Sequence, residues 1–381
     1  MKIALVSPYD FSHPGGVQSG HVAALERQLT KMGHDVKVIA PASKPVTYLG
    51  DRFIQIGKPL PIPASGSIVR ISPSLHLAPV IKEVLTREKF DIVHLHEPFM
   101  VMLCSAVLRF SDGVNIGTFH AADGRPGYKF GWPFSTLMLR RRRRKLNGRI
   151  AVSKPAKDYA CRFVPGDYQI IPNGVDIERF NPGLSPIEKF CDGKLNILFL
   201  GRLETRKGLK YLLDAYVKVK QEIPNSRLIV VGSGTRLKKG YEKFVEQNHL
   251  SDVEFVGFIP EEDKPRYFKT ADVYCAPSTG HESQGIVLLE AMATGTPIVA
   301  SNLDGYASVV THGQEGLLVA PKRGDELATA LILVLKDEGL RRKMGAAGRT
   351  TAEKYSWERI AKRVCDYYQE VLGNNPQASI K

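Results

Sequence analysis

The sequence alternates short apolar runs with longer amphipathic stretches. Apolar runs lie at Lys2–Ser7, Asp35–Ala40 and Asp91–His96. The segment His21–Met32 has apolar positions at helical spacing and is stopped by Gly33. This alternation predicts a parallel β-sheet covered by helices.

The same pattern restarts halfway along the chain. A linker rich in proline, glycine and charge, Asn181–Gly193, precedes a predicted strand at Leu195–Gly201 and a predicted helix at Leu209–Gln221. A last amphipathic stretch, Ser356–Leu372, predicts a terminal helix. We therefore predict two Rossmann-like α/β domains and an appended helix, with boundaries at residues 1–175, 176–355 and 356–381.

Composition narrows the class of protein. An apolar fraction of 43% and a charged fraction of 24% are ordinary for a globular protein and exclude a disordered chain. The five cysteines are scattered without a Cys-x-x-Cys pair, so no zinc or redox site is predicted. The apolar run at the N-terminus is too short for a signal peptide, and no stretch reaches the ~18 residues of a membrane span, so we expect a cytoplasmic protein.

The positive charge is concentrated in the first half. Of the net charge of +14, residues 1–165 carry +13, from 24 Lys and Arg against 11 Asp and Glu. Such an asymmetry suggests an anionic partner, whether lipid headgroups, a phosphorylated acceptor or nucleic acid. A solubilising surface is the alternative explanation.

Two glutamates are the strongest candidates for residues of a functional site. Glu282 precedes a predicted helix that starts near Gly285, and Glu290 lies inside that helix. A helix start aims amides at anionic or hydroxyl oxygens. Eight helical positions span about 12 Å, comparable to the reach from hexose to ribose in a sugar nucleotide. Because the residues between the glutamates are apolar, the helix is predicted to be buried, and its carboxylates need partners.

Two cations follow the first strand of the second half. Arg202 and Lys207 lie in a turn that parallel sheets place at their ligand-binding edge. Cations there suit a pyrophosphate leaving group. Solvated surface cations are the alternative interpretation.

These motifs resemble glycosyltransferase family 4. The resemblance covers almost the whole chain and includes Gly15-Gly16, the string Ile171–Asp176, Gly201-Arg202 with Lys207, the two glutamates, and Gly316–Val319. It implies the GT-B fold, in which two Rossmann-like domains face each other across a cleft and the C-terminal helix returns to the first domain. It also implies retention of anomeric configuration, a nucleotide-sugar donor and no essential metal.

The resemblance assigns roles to individual residues. His120, Arg202, Lys207 and Glu282 match the family's catalytic positions, with His120 beside the transferred sugar. The donor-binding positions it implies are Gly16, Arg202, Lys207, Gly257, Phe258, Glu282, Ser283, Gln284, Gly285, Ile286 and Glu290. In this scheme Glu290 holds the ribose, and the cations hold the pyrophosphate.

Shorter strings are similar to the family members that move mannose from GDP-mannose to the inositol ring of phosphatidylinositol. They include Pro14–Ser19, His94–Pro98 and Val273–Pro277. The acceptor positions this implies are Tyr9, Gln18, Arg70 and His120. The implied location is peripheral, on the cytoplasmic face of the plasma membrane.

A basic run is the predicted contact with an anionic membrane surface. It follows the aromatic segment 128–134 and comprises Arg140, Arg141, Arg142, Arg143, Arg144 and Lys145. Aromatic residues beside cations suit a bilayer interface. The alternative is the solvated face of a helix.

Two other functions stay open at this point. One is a family member that uses a UDP-sugar or a soluble phosphorylated acceptor such as inositol phosphate. The other is a nucleic-acid-binding protein on an inactive transferase fold. We expect no nucleic-acid partner, because no recognition module accompanies the charge.

Overall fold

Two parallel sheets dominate the structure, and each belongs to its own unit of the chain. The structure, a computed structural model, describes residues 1–12, 17–64, 67–72, 76–100, 103–122 and 141–375. The first unit comprises Met1–Asn173 with Trp357–Lys381, and the second comprises Gly174–Ser356.

The first unit is built on a seven-stranded parallel sheet with the order β3-β2-β1-β6-β7-β8-β9. A separate antiparallel hairpin pairs β4 with β5. The strands are β1 (Lys2–Val6), β2 (Asp35–Ala40), β3 (Phe53–Gln55), β4 (Leu60–Ala64), β5 (Ser67–Ile71), β6 (Ile92–His96), β7 (Val114–Phe119), β8 (Gly148–Ala151) and β9 (Gln169–Ile170). The strand order reverses between β1 and β6, which is where open α/β sheets bind ligands.

Helices cover both faces of this sheet. Strand β1 shows why, because Ile3 and Leu5 join one buried cluster while Ala4 and Val6 join the other. A strand that is buried on both faces has a nearly continuous apolar sequence. The helices before the linker include α1 (Val17–Lys31), α2 (Ala78–Glu88), α3 (Leu103–Phe110) and α4 (Lys154–Cys161).

The second unit repeats this architecture with six parallel strands in the order β12-β11-β10-β13-β14-β15. Its strands are β10 (Leu195–Leu200), β11 (Ser226–Val231), β12 (Val253–Gly257), β13 (Val273–Ala276), β14 (Ile298–Ser301) and β15 (Gly316–Val319). Its helices are α5 (Leu209–Glu222), α6 (Thr235–Gln247), α7 (Lys264–Thr270), α8 (Ile286–Ala293), α9 (Asp304–Ala307), α10 (Gly324–Lys336) and α11 (Glu338–Lys354). Here the strand order reverses between β10 and β13.

The last helix, α12 (Trp357–Gly373), belongs to the first unit. Its apolar stripe places Ile360, Val364 and Tyr368 in the same buried cluster as the α1 residues Leu25 and Leu29. This stripe has the three-to-four-residue spacing of a helix packed on a core. The predicted fold class, two parallel-sheet α/β domains with a returning terminal helix, is therefore confirmed.

Candidate active site

The carboxylate of Glu282 gathers three donors at the strand-order reversal of the second unit. Its Oε1 accepts hydrogen bonds from Lys207 Nζ at 2.6 Å, Arg206 Nη1 at 3.0 Å and Ser278 Oγ at 3.2 Å. The side chains of Glu282 and Lys207 are only 12% and 17% exposed. Burial lowers the pKa of the Lys207 ammonium, and the Glu282 carboxylate opposes that shift. The result is a shielded anion flanked by two cations.

Glycine at position 208 permits this approach of the two loops. Thr205–Lys207 forms a 3-10 turn after β10, and Gly208 closes it with φ of +73°. A Cβ atom at Gly208 would lie 1.9 Å from the carbonyl oxygen of Pro277, in the loop after β13. Only glycine therefore allows the turn that carries Lys207 to sit against the loop that carries Glu282.

The other predicted cation has a different partner. Arg202 Nη1 lies 3.0 Å from Glu204 Oε1, and the Arg202 side chain is 51% exposed. Burial lowers the pKa of the Arg202 guanidinium, while Glu204 raises it. Arg206, which sequence reasoning missed, bridges the two carboxylates by donating to Glu204 at 2.9 Å and to Glu282. The sequence does contain one indication of this role, because Arg206 directly precedes Lys207 in the turn that also contains Arg202.

Glu290 lies within α8 and is 8% exposed. Lys264, at the start of α7, places its Nζ 2.7 Å from Oε2 and donates to Oε1 at 2.8 Å. Burial raises the pKa of Glu290, and Lys264 opposes this rise. Sequence reasoning required a partner for a buried glutamate but did not identify Lys264, because the two residues belong to different helices.

The start of α8 lies between the two glutamates. Gly285 adopts a φ of +86°, and a Cβ there would lie 2.7 Å from the ring of Tyr306. The helix then begins at Ile286, so its first amides lack intrahelical acceptors. Gln284 is buried and Ser283 is half-buried immediately before it. This arrangement can bind hydroxyl or phosphate oxygens.

Two predicted donor-binding residues, Gly257 and Phe258, lie at the end of the outer strand of this sheet. Gly257 ends β12 with φ of +84°, and its carbonyl accepts a hydrogen bond from the Gly232 amide at 2.8 Å. Phe258, which follows, is 65% exposed. An exposed aromatic ring at a strand end is available to a planar ligand group.

In the first unit, His120 follows β7 and contacts a second histidine. His96 Nδ1 lies 3.1 Å from His120 Nε2, and both rings are buried. The Glu97 carboxylate accepts hydrogen bonds from the backbone amides of His120, at 2.8 Å, and Ala121, at 3.1 Å. Burial lowers the pKa of His120 to about 4, and Asn173 partly opposes this shift.

Two further histidines complete the cluster. His94 contacts Tyr368 of α12 and Thr118 of β7, each at 2.6 Å, and burial lowers its pKa to about 3. Burial also depresses the pKa of His21 and of His96 far below the usual value. At neutral pH these rings are therefore uncharged.

Of the described residues, His21, His96 and His120 form the one group that could hold a metal ion. Their ring nitrogens lie within 4.8 Å of one another. Neutral imidazoles at this spacing are suitable ligands for a transition metal. The sequence did not indicate this grouping, because the three residues come from α1, from β6 and from the position directly after β7.

The predicted acceptor residues are partly brought together. Tyr9 forms a β-bridge with Ile71, and the Asp10 amide donates to the Arg70 carbonyl at 2.9 Å, so the loop after β1 is fixed to the hairpin. Gly16, which is a predicted donor-binding residue, lies outside the described residues. The backbone of Gln18 is in α1, and its side chain lies outside the description.

The basic run is described from Arg141 onward, while Arg140 and the aromatic segment 128–134 lie outside the described residues. Arg141 and Arg144 are exposed, whereas Arg142 and Arg143 are half-buried. Lys145 is already engaged, because its Nζ donates to the carbonyls of Arg109, at 2.6 Å, and Ser111, at 3.2 Å. Within the described residues no helix has the length and apolar content needed to span a membrane.

The two Rossmann-like sheets, with paired carboxylates and cations at the edge of the second, define a GT-B glycosyltransferase that takes a nucleotide sugar. Comparison with known families gives the same class: residues 14–179 match "Glycosyltransferase Family 4" and residues 184–351 match "Glycosyl transferases group 1". The chain is 37% identical to the phosphatidyl-myo-inositol mannosyltransferase of Mycobacterium tuberculosis, with 100% of both chains covered. The chain therefore belongs to glycosyltransferase family 4 and is a hexosyltransferase.

Other similarities differ in extent. The Mycolicibacterium smegmatis protein of the same description is 36% identical, with 98% of this chain and 95% of the relative covered. A D-inositol 3-phosphate glycosyltransferase from Corynebacterium urealyticum is 33% identical, but only 53% of this chain and 51% of that protein are covered.

Solved structures agree on the fold. Sucrose-phosphate synthase from Thermosynechococcus elongatus has a TM-score of 0.77 at 22% identity, covering 98% of this chain and 100% of that chain. Anabaena HepE, solved in complex with UDP and glucose, has a TM-score of 0.72 at 21% identity, covering 97% of this chain and 99% of that chain.

Proposed function

We propose that this protein transfers mannose from GDP-mannose to the inositol ring of phosphatidylinositol, with retention of anomeric configuration, at the cytoplasmic face of the plasma membrane. The observation that carries the proposal is the group formed by Glu282, Lys207 and Arg206, with Glu290 further along the same sheet edge. Full-length similarity to phosphatidyl-myo-inositol mannosyltransferases supports the choice of sugar and acceptor.

In the proposed donor site, the two glutamates bind different parts of the nucleotide sugar. Glu290 accepts hydrogen bonds from the ribose hydroxyls, and Lys264 opposes the rise in the pKa of this carboxylate that burial causes. Glu282 accepts hydrogen bonds from hydroxyls of the mannose. Arg202 and Lys207 bind the pyrophosphate, with Gly16 as the predicted contact from the first unit. Amides near Gly285 add neutral donors, and Gly257 with Phe258 receives the base.

In the proposed reaction, an inositol hydroxyl attacks the anomeric carbon on the face from which the phosphate departs. The bond from that carbon to the β-phosphate oxygen breaks, and the leaving phosphate takes the hydroxyl proton. Lys207 and Arg202 stabilise the negative charge that develops on the phosphate. His120 lies beside the sugar, and Tyr9, Gln18 and Arg70 are the proposed contacts to the inositol phosphate. No residue of the chain is assigned as a dedicated base.

A family member with a different donor or acceptor is the second candidate. The partial similarity to a D-inositol 3-phosphate glycosyltransferase favours a soluble phosphorylated acceptor. The first half of the chain, with its net charge of +13, would attract either anion.

Two measurements separate these candidates. Thermal unfolding of the purified protein with GDP or UDP tests the base, and we expect stabilisation by GDP alone. Transfer of labelled mannose to phosphatidylinositol or to inositol phosphate then tests the acceptor. Stabilisation by UDP and not GDP would sink the mannosyltransferase assignment. Transfer to inositol phosphate alone would establish the second candidate.

A further inference from the structure

The rings of His96 and His120 are joined by one hydrogen bond, whose origin is the register of two strands. His96 at the end of β6 pairs with Thr118 of β7. Side chains two positions apart share a face of a sheet, so His120 lies on the same face as Thr118, beside His96. The resulting Nδ1 to Nε2 distance is 3.1 Å.

This bond contains a single proton. A hydrogen bond between two ring nitrogens needs one donor and one acceptor, and an imidazole that accepts at one nitrogen carries its proton on the other. If His120 donated from Nε2, the proton of His96 would sit on its own Nε2. That atom is buried and has no hydrogen-bond partner among the described residues. A buried donor without an acceptor is disfavoured more strongly than a buried acceptor without a donor. The arrangement with His96 as the donor is therefore favoured, because it does not require a buried N–H without an acceptor.

We propose that His96 is a positioning residue: its Nδ1–H donates to His120 Nε2 and holds His120 in the tautomer protonated on Nδ1. The inference rests on the proposed function, in which His120 lies beside the transferred sugar. The His120 ring would then present its Nδ1–H as a donor, while its Nε2 lone pair is occupied.

The backbone and the ring of His120 are held separately. Glu97 fixes the backbone through the amides of His120 and Ala121. It does so from a left-handed backbone conformation, with φ of +53°, that few residues other than glycine adopt. Loss of His96 therefore leaves the loop in place and removes the hydrogen bond to Nε2 of the ring, while the hydrogen bond between the ring and Asn173 remains. This separation makes a positioning role distinguishable from a role in folding.

Substitutions at His96 with amides provide the test. The Asn side-chain amide reaches about as far as imidazole Nδ1, whereas the Gln amide reaches about as far as Nε2. We expect His96→Gln to lower the kcat of mannose transfer about tenfold, the effect of one hydrogen bond, with the donor KM within about twofold. His96→Asn should keep kcat within about threefold of the wild type.

Tyr368→Phe is the matched control, because it removes a 2.6 Å hydrogen bond to His94 in the same cluster without touching His120. It should reduce the melting temperature and leave kcat unchanged. Equal kcat for His96→Gln and the wild type, or equal losses in His96→Gln and His96→Asn at matched stability, would overturn the proposal.

Nitrogen-15 NMR of histidine-labelled protein reads the tautomer without any substrate. We expect the His120 signals of a protonated Nδ1 and an unprotonated Nε2, and a larger fraction of the Nε2-protonated tautomer for His96→Gln. A His120 protonated on Nε2 in the wild type would overturn the proposal even if mannose transfer is established. Conversely, the expected tautomer without mannose transfer would place the failure in the proposed function.

Discussion

The Lys264 ammonium lies 2.7 Å from Oε2 of Glu290, so the buried carboxylate in α8 already has a cation beside it. We expect Glu290→Gln to weaken GDP binding roughly 10- to 100-fold, because charged hydrogen bonds to the ribose become neutral ones. Isothermal titration calorimetry with GDP measures this change. The same substitution at Glu254, an exposed carboxylate on β12 paired with Lys189, is the control and should leave the affinity unchanged. Unaltered GDP affinity in Glu290→Gln would remove Glu290 from the ribose site.

Glu282→Ala should separate turnover from nucleotide binding. Its carboxylate is assigned to the mannose and not to the nucleotide, so we expect kcat to fall about 10²- to 10³-fold while GDP affinity changes less than about threefold. Steady-state kinetics and calorimetry on the same preparation give both numbers. Equal losses of GDP affinity in the variants at positions 282 and 290 would refute this division.

Arg206 offers a test that the sequence alone did not suggest. Arg206→Met removes the bridge between Glu204 and Glu282, and we expect kcat/KM for the donor to fall about tenfold. Arg206→Lys keeps the charge but contacts one carboxylate at a time, so it should recover only part of the loss. Full activity in Arg206→Met would show that Lys207 and Ser278 position Glu282 without help.

The exposed part of the basic run should bind anionic lipid. We expect the double substitution Arg141→Ala with Arg144→Ala to weaken binding to phosphatidylinositol-containing vesicles roughly 30-fold, at ~1 kcal/mol per cation. Vesicle flotation with neutral and anionic lipids measures this. Arg342→Ala with Lys343→Ala removes the same charge from exposed positions of α11 and serves as the control. Equal weakening by both pairs would indicate a general charge effect and remove this run as the docking surface.

Asp252 should make stability depend on pH. It pairs with Lys194 and with Lys220, the latter at 2.8 Å, and its hydrogen bonds to these lysines lower its pKa to about 2 from an ordinary 3.8. A depressed pKa stabilises the folded state above about pH 4, and this stabilisation is lost as the pH falls towards 2. Denaturant unfolding should show Asp252→Asn less stable by about 1 kcal/mol at pH 7, after allowance for solvent screening. The difference should shrink below pH 4; a constant difference would contradict the linkage.

The fold and the donor segment could be predicted from local sequence. Strands such as β1 and β10 are apolar runs followed by Ser7 and Gly201, and Gly208 and Gly285 mark turns that need positive φ. Glu282 and Glu290 were identifiable because one precedes a buried apolar helix and the other lies inside it, where a carboxylate requires a partner.

The partners themselves could not be predicted, because they come from distant parts of the chain. Lys264 reaches Glu290 from another helix, and His96 reaches His120 from a neighbouring strand whose register is not visible in composition or periodicity. The roles assigned to all the site residues stay predictions, and Gly16, Gln18 and Arg140 in addition lie on residues or side chains outside the description.

Helix α12 has a consequence for how the chain is synthesised. The buried cluster of the first unit includes Trp357, Ile360, Val364 and Tyr368, which the ribosome adds only after the whole second unit. The first unit therefore leaves the ribosome with one side of its core uncovered. That side stays uncovered until residues 174–356 and then α12 have been synthesised. During translation the second unit, although later in the chain, is the first whose core can be complete.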